Sequence, residues 1–185
     1  MVQTIKIKNK SVCFTVEHRK IKHPRLELKT GKLVVIAPEG FKNAAELVKK
    51  HGNWVVSKSA ELKLAGKNGK MKMLNNRTRE CFEELVRKHI RIYSDKIGCS
   101  VNAVFFRPMT SKWGSCGKSG NITINMDLSK LPDEMVKYIV HHEVLHRKIR
   151  EHKEEFFSHV KAEFINYRQI EKELLEYWFA IKQAG

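Results

Sequence analysis

The segment His141-His142-Glu143-Val144-Leu145-His146 constrains this chain more than any other. It holds the pattern HExxH, and a further histidine, His152, follows six residues after the second. On a helix, His142 and His146 stand one turn apart on one face, so both imidazoles reach a single metal ion. Glu143 lies next to that face, placed to act on a water without being a ligand. A plain amphipathic helix with surface histidines would carry the same letters, but the surroundings argue against it. Pro132, Asp133 and Glu134 make a helix start, with proline in the first turn and acids at the positive end of the dipole. Met135, Ile139, His142 and His146 follow at helical spacing, with Val136, Val140 and Val144 close by, so the histidines fall on or beside a packed face. A buried histidine pair needs a partner, and a metal supplies one.

His152 adds a geometric condition. On an unbroken helix it would sit about 9 Å further along the axis than His146, outside a shared coordination sphere. If it is the third ligand, the helix ends or bends between Arg147 and Glu151, and Lys153-Glu154-Glu155 opens a second helix with acids in its first turn. No glycine marks the bend. Glu151, Glu154, Glu155 and His159 compete for the third position; His152 is favoured because catalytic zinc often takes three histidines. His141, rotated about 100° from His142, is expected behind the ligands or in solvent.

A chain of 185 residues can bury a substantial core, as one domain or as a domain with an appended lobe. No apolar run approaches a membrane span, and Met1 to Lys10 lacks the apolar stretch of a signal peptide. Cys13, Cys81, Cys99 and Cys116 are widely spaced with no CxxC pair, which speaks against a zinc finger and for a reduced, cytoplasmic protein. Cys116 is expected to be a buried structural thiol. The net charge of +16 is uneven: residues 1–75 hold 17 Lys and Arg against 5 acids, and residues 131–185 hold 9 against 10. A basic front half suits a polyanionic partner such as nucleic acid, and equally a lysine-rich solvated surface.

Pattern and turn residues predict strands over Thr4 to Lys8, Val12 to Glu17, Arg25 to Lys29 and Lys32 to Ala37, with Thr30-Gly31 turning between the last two. A helical pattern runs from Ala44 to Leu64 with an interruption at Gly52, and Gly66-Lys67-Asn68-Gly69 is the best linker. A helix is predicted from Asn76 to Ile97, ended by Gly98, then strands at Ala103 to Arg107 and Asn121 to Met126, the HExxH helix, and a last helix from Lys153 to Ile181. Asn121, Thr123 and Asn125 alternate with Ile122, Ile124 and Met126, which predicts a strand with one wet face. Such a strand beside a metal helix could frame a substrate cleft by taking an extended peptide onto the sheet edge.

Ser111-Lys112-Trp113-Gly114-Ser115-Cys116 is followed by Gly120-Asn121-Ile122-Thr123-Ile124-Asn125, then Leu128, Pro132, the HExxH segment, His152 and Phe156-Phe157. In this order the chain resembles the YgjP-like family of zinc metallopeptidases, related to the SprT-like proteases. The N-terminal strands, Ala37-Pro38 and Trp54 extend the resemblance over nearly the whole chain. It departs from the family at Arg147, where an apolar residue is usual, and at Phe157, which replaces a frequent tryptophan.

The resemblance implies an α+β fold. A zincin-like catalytic domain over residues 67–185, with an antiparallel or mixed sheet and the HExxH helix, would follow a basic, strand-rich lobe plus helix over residues 1–66. It implies one Zn2+ held by His142, His146 and His152, Glu143 as general base, and protein or peptide substrates, with no membrane partner. Through the SprT-like relation it also implies nucleic-acid-associated proteins as substrates. Substrate-binding residues are unassigned, and Tyr138, Tyr167, His141 and His159 are all candidates for the donor to the oxyanion. The alternative is a basic nucleic-acid-binding protein with a structural zinc site. Such a site needs a fourth protein ligand, for instance Cys116.

Overall fold

A computed structural model describes residues 2–29 and 32–184, so the predicted Thr30-Gly31 turn lies outside the described residues. The chain divides into two compact units, Met1–Leu64 and Ala65–Gly185.

The first unit is built on a mixed sheet of β1 (Val2–Ile7), β2 (Lys10–His18), β3 (Arg25–Lys29) and β4 (Lys32–Ala37), in the order β1-β2-β4-β3. Lys8 and Asn9, at φ 45° and 62°, make the tight turn between β1 and β2, the left-handed pair that matches the twist of a two-residue hairpin. β4 lies between a parallel and an antiparallel neighbour, and its apolar run Leu33 to Ala37 is buried throughout, as expected of a strand covered on both faces. Helix α1 (Ala44–Lys50) turns Ala44 and Val48 into a core shared with Phe14, Leu33 and Val35. The predicted interruption falls where it should: α1 is capped at His51, and α2 (Gly52–Gly69) starts at Gly52. A Cβ at Gly52 would stand 2.8 Å from Ile7 Cγ2.

The segment Gly66 to Gly69 is not a linker but the last turn of α2. Its glycines serve close packing, since a Cβ on Gly69 would lie 2.6 Å from the Glu176 carbonyl oxygen and 3.1 Å from Ala180 N. Asn68 Nδ2 donates to Glu176 Oε1 at 2.7 Å, and Lys72 pairs with Glu173 and Glu176 at 3.0 and 2.9 Å.

In the second unit, α3 (Arg79–Ile97) begins at Thr78, whose hydroxyl accepts the Cys81 N–H at 3.3 Å. It ends at Gly98 in the left-handed conformation, φ 69°, an N-cap and C-cap pair that needs little tertiary help. Its apolar stripe buries Phe82, Val86, Ile90 and Tyr93. Three short strands, β5 (Val104–Arg107), β6 (Gly114–Cys116) and β7 (Ile122–Asn125), form a sheet in the order β5-β7-β6, parallel then antiparallel. Helix α4 (Asp133–Leu145) follows a 3-10 turn and is buried nearly all round, packed on α3, α6, β6 and β7.

The single C-terminal helix predicted from Lys153 is two, α5 (Glu154–Glu163) and α6 (Tyr167–Ala184). Phe164 turns extended between them, at φ −129° and ψ 90°, and its ring packs on Tyr93, Tyr138 and His141. Anchoring that ring outweighs continuing the helix. The fold is α+β with mixed sheets. No helix among the described residues is long and apolar enough to cross a membrane.

The α2 glycines give a paired test. Gly69→Ala should destabilise the protein by about 1–3 kcal/mol, because the new methyl meets fixed backbone. Gly66→Ala, whose methyl would meet Phe179 at an ordinary 3.8 Å, should be neutral or up to about 1 kcal/mol stabilising through helix propensity. Urea denaturation of both variants measures the difference.

Candidate metal centre

Helix α4 stops one residue before the second HExxH histidine. His146 is still in the right-handed region, φ −63° and ψ −9°, but the backbone tightens: Arg147 N–H bonds to Val144 O at 2.9 Å and Lys148 N–H to Leu145 O at 3.0 Å. No left-handed residue is used, which is why no glycine marks the bend. His146 Nδ1 donates to Ile149 O at 2.9 Å, so the side chain itself closes the turn. The chain then reverses, and the His152 ring comes back over the helix.

Three imidazoles converge. His152 Nε2 lies 2.9 Å from His142 Nε2 and 3.1 Å from His146 Nε2. Glu151, Glu154, Glu155 and His159 do not join them; among the described residues His142, His146 and His152 are the cluster of donors able to hold a metal ion. Phe156, fully buried at the start of α5, packs against all three rings, with centroids 4.9, 4.8 and 4.7 Å from His142, His146 and His152. The sequence places Phe156 in the motif but says nothing of this contact.

The donor set fits a metal ion. Because a carbonyl only accepts, His146 carries its proton on Nδ1 and, when neutral, presents a lone pair at Nε2. His152 Nε2 has one proton to give or one lone pair to offer, yet it faces two nitrogens at hydrogen-bond distance. Protons leave the trio incompletely satisfied, whereas one cation accepts all three lone pairs. Ligands at 2.0–2.1 Å around a tetrahedral centre stand about 3.3–3.4 Å apart, so the rings need move by only a few tenths of an ångström. Burial, with the neighbouring imidazoles, pushes the His142 pKa down to about 3, and burial lowers that of His146. Both are therefore neutral, the form that binds metal. His142 Nδ1 is buried without a partner.

Glu143, 6% exposed, lies against β6. A Cβ on Gly114 would stand 2.8 Å from Glu143 Cγ and 3.0 Å from Oε1, so the glycine of Trp113-Gly114-Ser115-Cys116 makes room for the carboxylate. Burial pushes the Glu143 pKa up to about 7, opposed by the charge of Lys112 and by the Cys116 backbone N–H, which donates to the carboxylate. The Cys116 thiol turns instead to Gly117 O, at 3.7 Å. Its pKa is raised by burial, and it is not among the clustered metal donors.

Two expectations for β7 are corrected. Asn125 is not on a wet face but fully buried. Its Oδ1 accepts from Met109 N–H and Asp127 N–H at 3.2 and 3.1 Å, and its Nδ2 donates to Met109 O and Lys112 O at 3.0 and 2.9 Å. Four satisfied bonds offset its desolvation, and they hold the loop that leads into Trp113 and Gly114. Nor is β7 an edge strand: Ile124 pairs with Phe106 on one side and Gly114 on the other. A peptide could add only at β5 or β6, and Ile124→Pro would break the sheet itself.

Of the candidate oxyanion donors, Tyr138 donates to Glu171 Oε1 at 2.8 Å. His141 is 4% exposed and lies neither in solvent nor behind a ligand, but edge-on to Tyr93 and Phe164 at 5.0 and 5.5 Å. Tyr167 stacks on Phe157, the ring beside His152, at 5.9 Å. His159 lies near enough to His141 to disfavour protonation of its ring. None is singled out by a hydrogen bond to the imidazole cluster.

Burial also pushes the His141 pKa down to about 4, from 6.5. Between those values the unfolded chain holds a proton that the folded chain refuses. The His141 contribution is thus complete above about pH 6.5 and lost as pH falls towards 4. In metal-free protein, His141→Phe should flatten the loss of stability between pH 7 and pH 4 by at most roughly 3 kcal/mol. Denaturation midpoints at several pH values measure this, and an unchanged slope would show that His141 is not the group responsible.

Residues 61–177 match the model of the YgjP-like metallopeptidase domain. Among solved structures the chain is similar to the metallopeptidase zymogen abylysin of Pyrococcus abyssi, at 25% identity and a TM-score of 0.45, over 49% of this chain and 91% of that one. It is also similar to the metallopeptidase zymogen jannalysin of Methanocaldococcus jannaschii, at 22% identity and a TM-score of 0.44, over 51% and 94%. No curated protein matches the chain. The family model spans well over half of the sequence and contains the imidazole cluster, Glu143 and the Gly114 strand: the chain belongs to the YgjP-like family of metallopeptidases.

Proposed function

We propose that residues 65–185 are a zinc-dependent peptidase domain, with His142, His146 and His152 as ligands of one ion and Glu143 as general base. The observation that carries this is the meeting of three imidazoles on one side of α4 with a buried carboxylate from the residue next to the first of them. When bound, zinc would supply a Lewis acid for a peptide carbonyl and lower the pKa of a water. Glu143 takes the proton of the attacking water and delivers it to the leaving amine. Burial raises the carboxyl pKa in the metal-free protein and so makes the carboxylate a better proton acceptor than a solvated one. Gly114 and the Cys116 N–H fix where the carboxylate sits, and Phe156 fixes the rings.

Three protein donors leave a coordination position for the reaction, whereas a structural zinc site closes with four. The Cys116 thiol, directed at Gly117 O, supports the open site over the structural one. Proteins bound to nucleic acid are a substrate class supported by the net charge of +12 over residues 1–75, within a protein or peptide substrate range that the family implies.

Glu143→Gln keeps the shape of the side chain and removes the base. It should leave zinc content at one per chain and lower the cleavage rate of an unfolded protein substrate by about 10²–10⁴-fold. Retention of wild-type turnover by a zinc-loaded Glu143→Gln protein would eliminate Glu143 as the base.

A further inference from the structure

The loop from His146 to Lys153 has no regular structure of its own, yet it delivers the third imidazole. Two arginines within it grip the opposite side of the site. Arg150 Nη1 donates to Gly117 O at 3.2 Å and, more weakly, to Cys116 O at 3.5 Å, while Nη2 donates to Lys118 O at 3.3 Å. Arg147 Nε donates to Ser100 O at 2.8 Å, and its guanidinium lies over Gly120. A Cβ there would stand 2.6 Å from Arg147 Cζ, and Gly120 has φ 86°. The two side chains thus straddle the turn from β6 to β7, which is closed by Gly120 N–H on Gly117 O at 3.0 Å. The same β6 strand provides Gly114 and the Cys116 N–H to Glu143.

We propose that Arg147 and Arg150 are positioning residues, a clamp that fixes the His152 loop to the β6–β7 turn and keeps the third imidazole in register with the Glu143 carboxylate. Arginine suits the task because its planar fork offers five donors to carbonyls spread over three residues, where lysine offers a point charge. Without the clamp, the loop must be ordered when the ion binds, and that entropy is subtracted from affinity. The inference rests on the zinc site proposed above. It also explains the polar residue at position 147, where an apolar one would have no carbonyl to hold.

Zinc affinity by chelator competition, which needs no substrate, tests this directly. Arg150→Met should weaken binding about tenfold and Arg147→Met/Arg150→Met towards a hundredfold, the range for partners that orient ligands. Arg150→Lys should fall between Arg150→Met and wild type. Gly120→Ala, which unseats Arg147 from the other side, should weaken binding in the same direction. Amide exchange should accelerate in residues 147–152 and 116–120 of the variants and stay unchanged in α3, whereas a general loss of stability would speed exchange throughout. Affinity within twofold of wild type in a folded double variant would overturn the clamp. If the double variant does not fold, Arg150→Met alone decides by the same criterion. His146→Ala separates the two levels: if it too leaves affinity unchanged, the zinc site itself is wrong and the clamp falls with it.

Discussion

Imidazole nitrogens held 2.9 and 3.1 Å apart around a shared point cannot all be satisfied by the protons available to them. Phe156 blocks one side of all three rings, and His146 is locked by Ile149 O through its far nitrogen. Much of the second unit serves this arrangement. Helix α4 ends at Leu145, the chain doubles back, and α5 begins within two residues of His152 so that its first aromatic ring can pack under the cluster. A cation turns this concentration of lone pairs from a cost into a binding energy.

The Glu143 carboxylate is controlled by a strand of three residues. β6 is held at both ends by groups far apart in sequence. Asn125 bonds the loop before it, and Arg150 bonds the turn after it. Between these anchors, Gly114 leaves space for the carboxylate and the Cys116 N–H orients it. The carboxylate and the imidazoles are therefore not independent features of one helix. They are tied through the His152 loop, whose Arg150 reaches the end of the strand that holds Glu143.

How far the sequence reveals this depends on the range of the interactions. His142, Glu143 and His146 are legible because the helical repeat alone brings them together, and the helix end follows from the reach His152 requires. The caps of α3 at Thr78 and Gly98 are equally local. Asn125 is not legible: polar–apolar alternation assigns a side chain to a face from its own polarity, whereas four backbone partners from 109, 112 and 127 allow this one inside. Gly66 and Gly69 look like a linker because nothing nearby in sequence shows that the backbone of α6 lies against Gly69. β6 is too short for a strand pattern, and its role appears only once Glu143 is seen against Gly114. Phe156 and Arg150 stand beside the motif without a spacing that would give their partners away.

We propose that one zinc ion sits on three histidine nitrogens with a position left for an exchangeable oxygen. X-ray absorption at the zinc edge of the purified, zinc-loaded protein tests it most directly. It should show only nitrogen and oxygen neighbours at about 2.0–2.1 Å, with the multiple-scattering signature of three imidazoles. A sulfur neighbour at about 2.3 Å would mean a closed site completed by a cysteine thiolate, and would contradict the catalytic assignment.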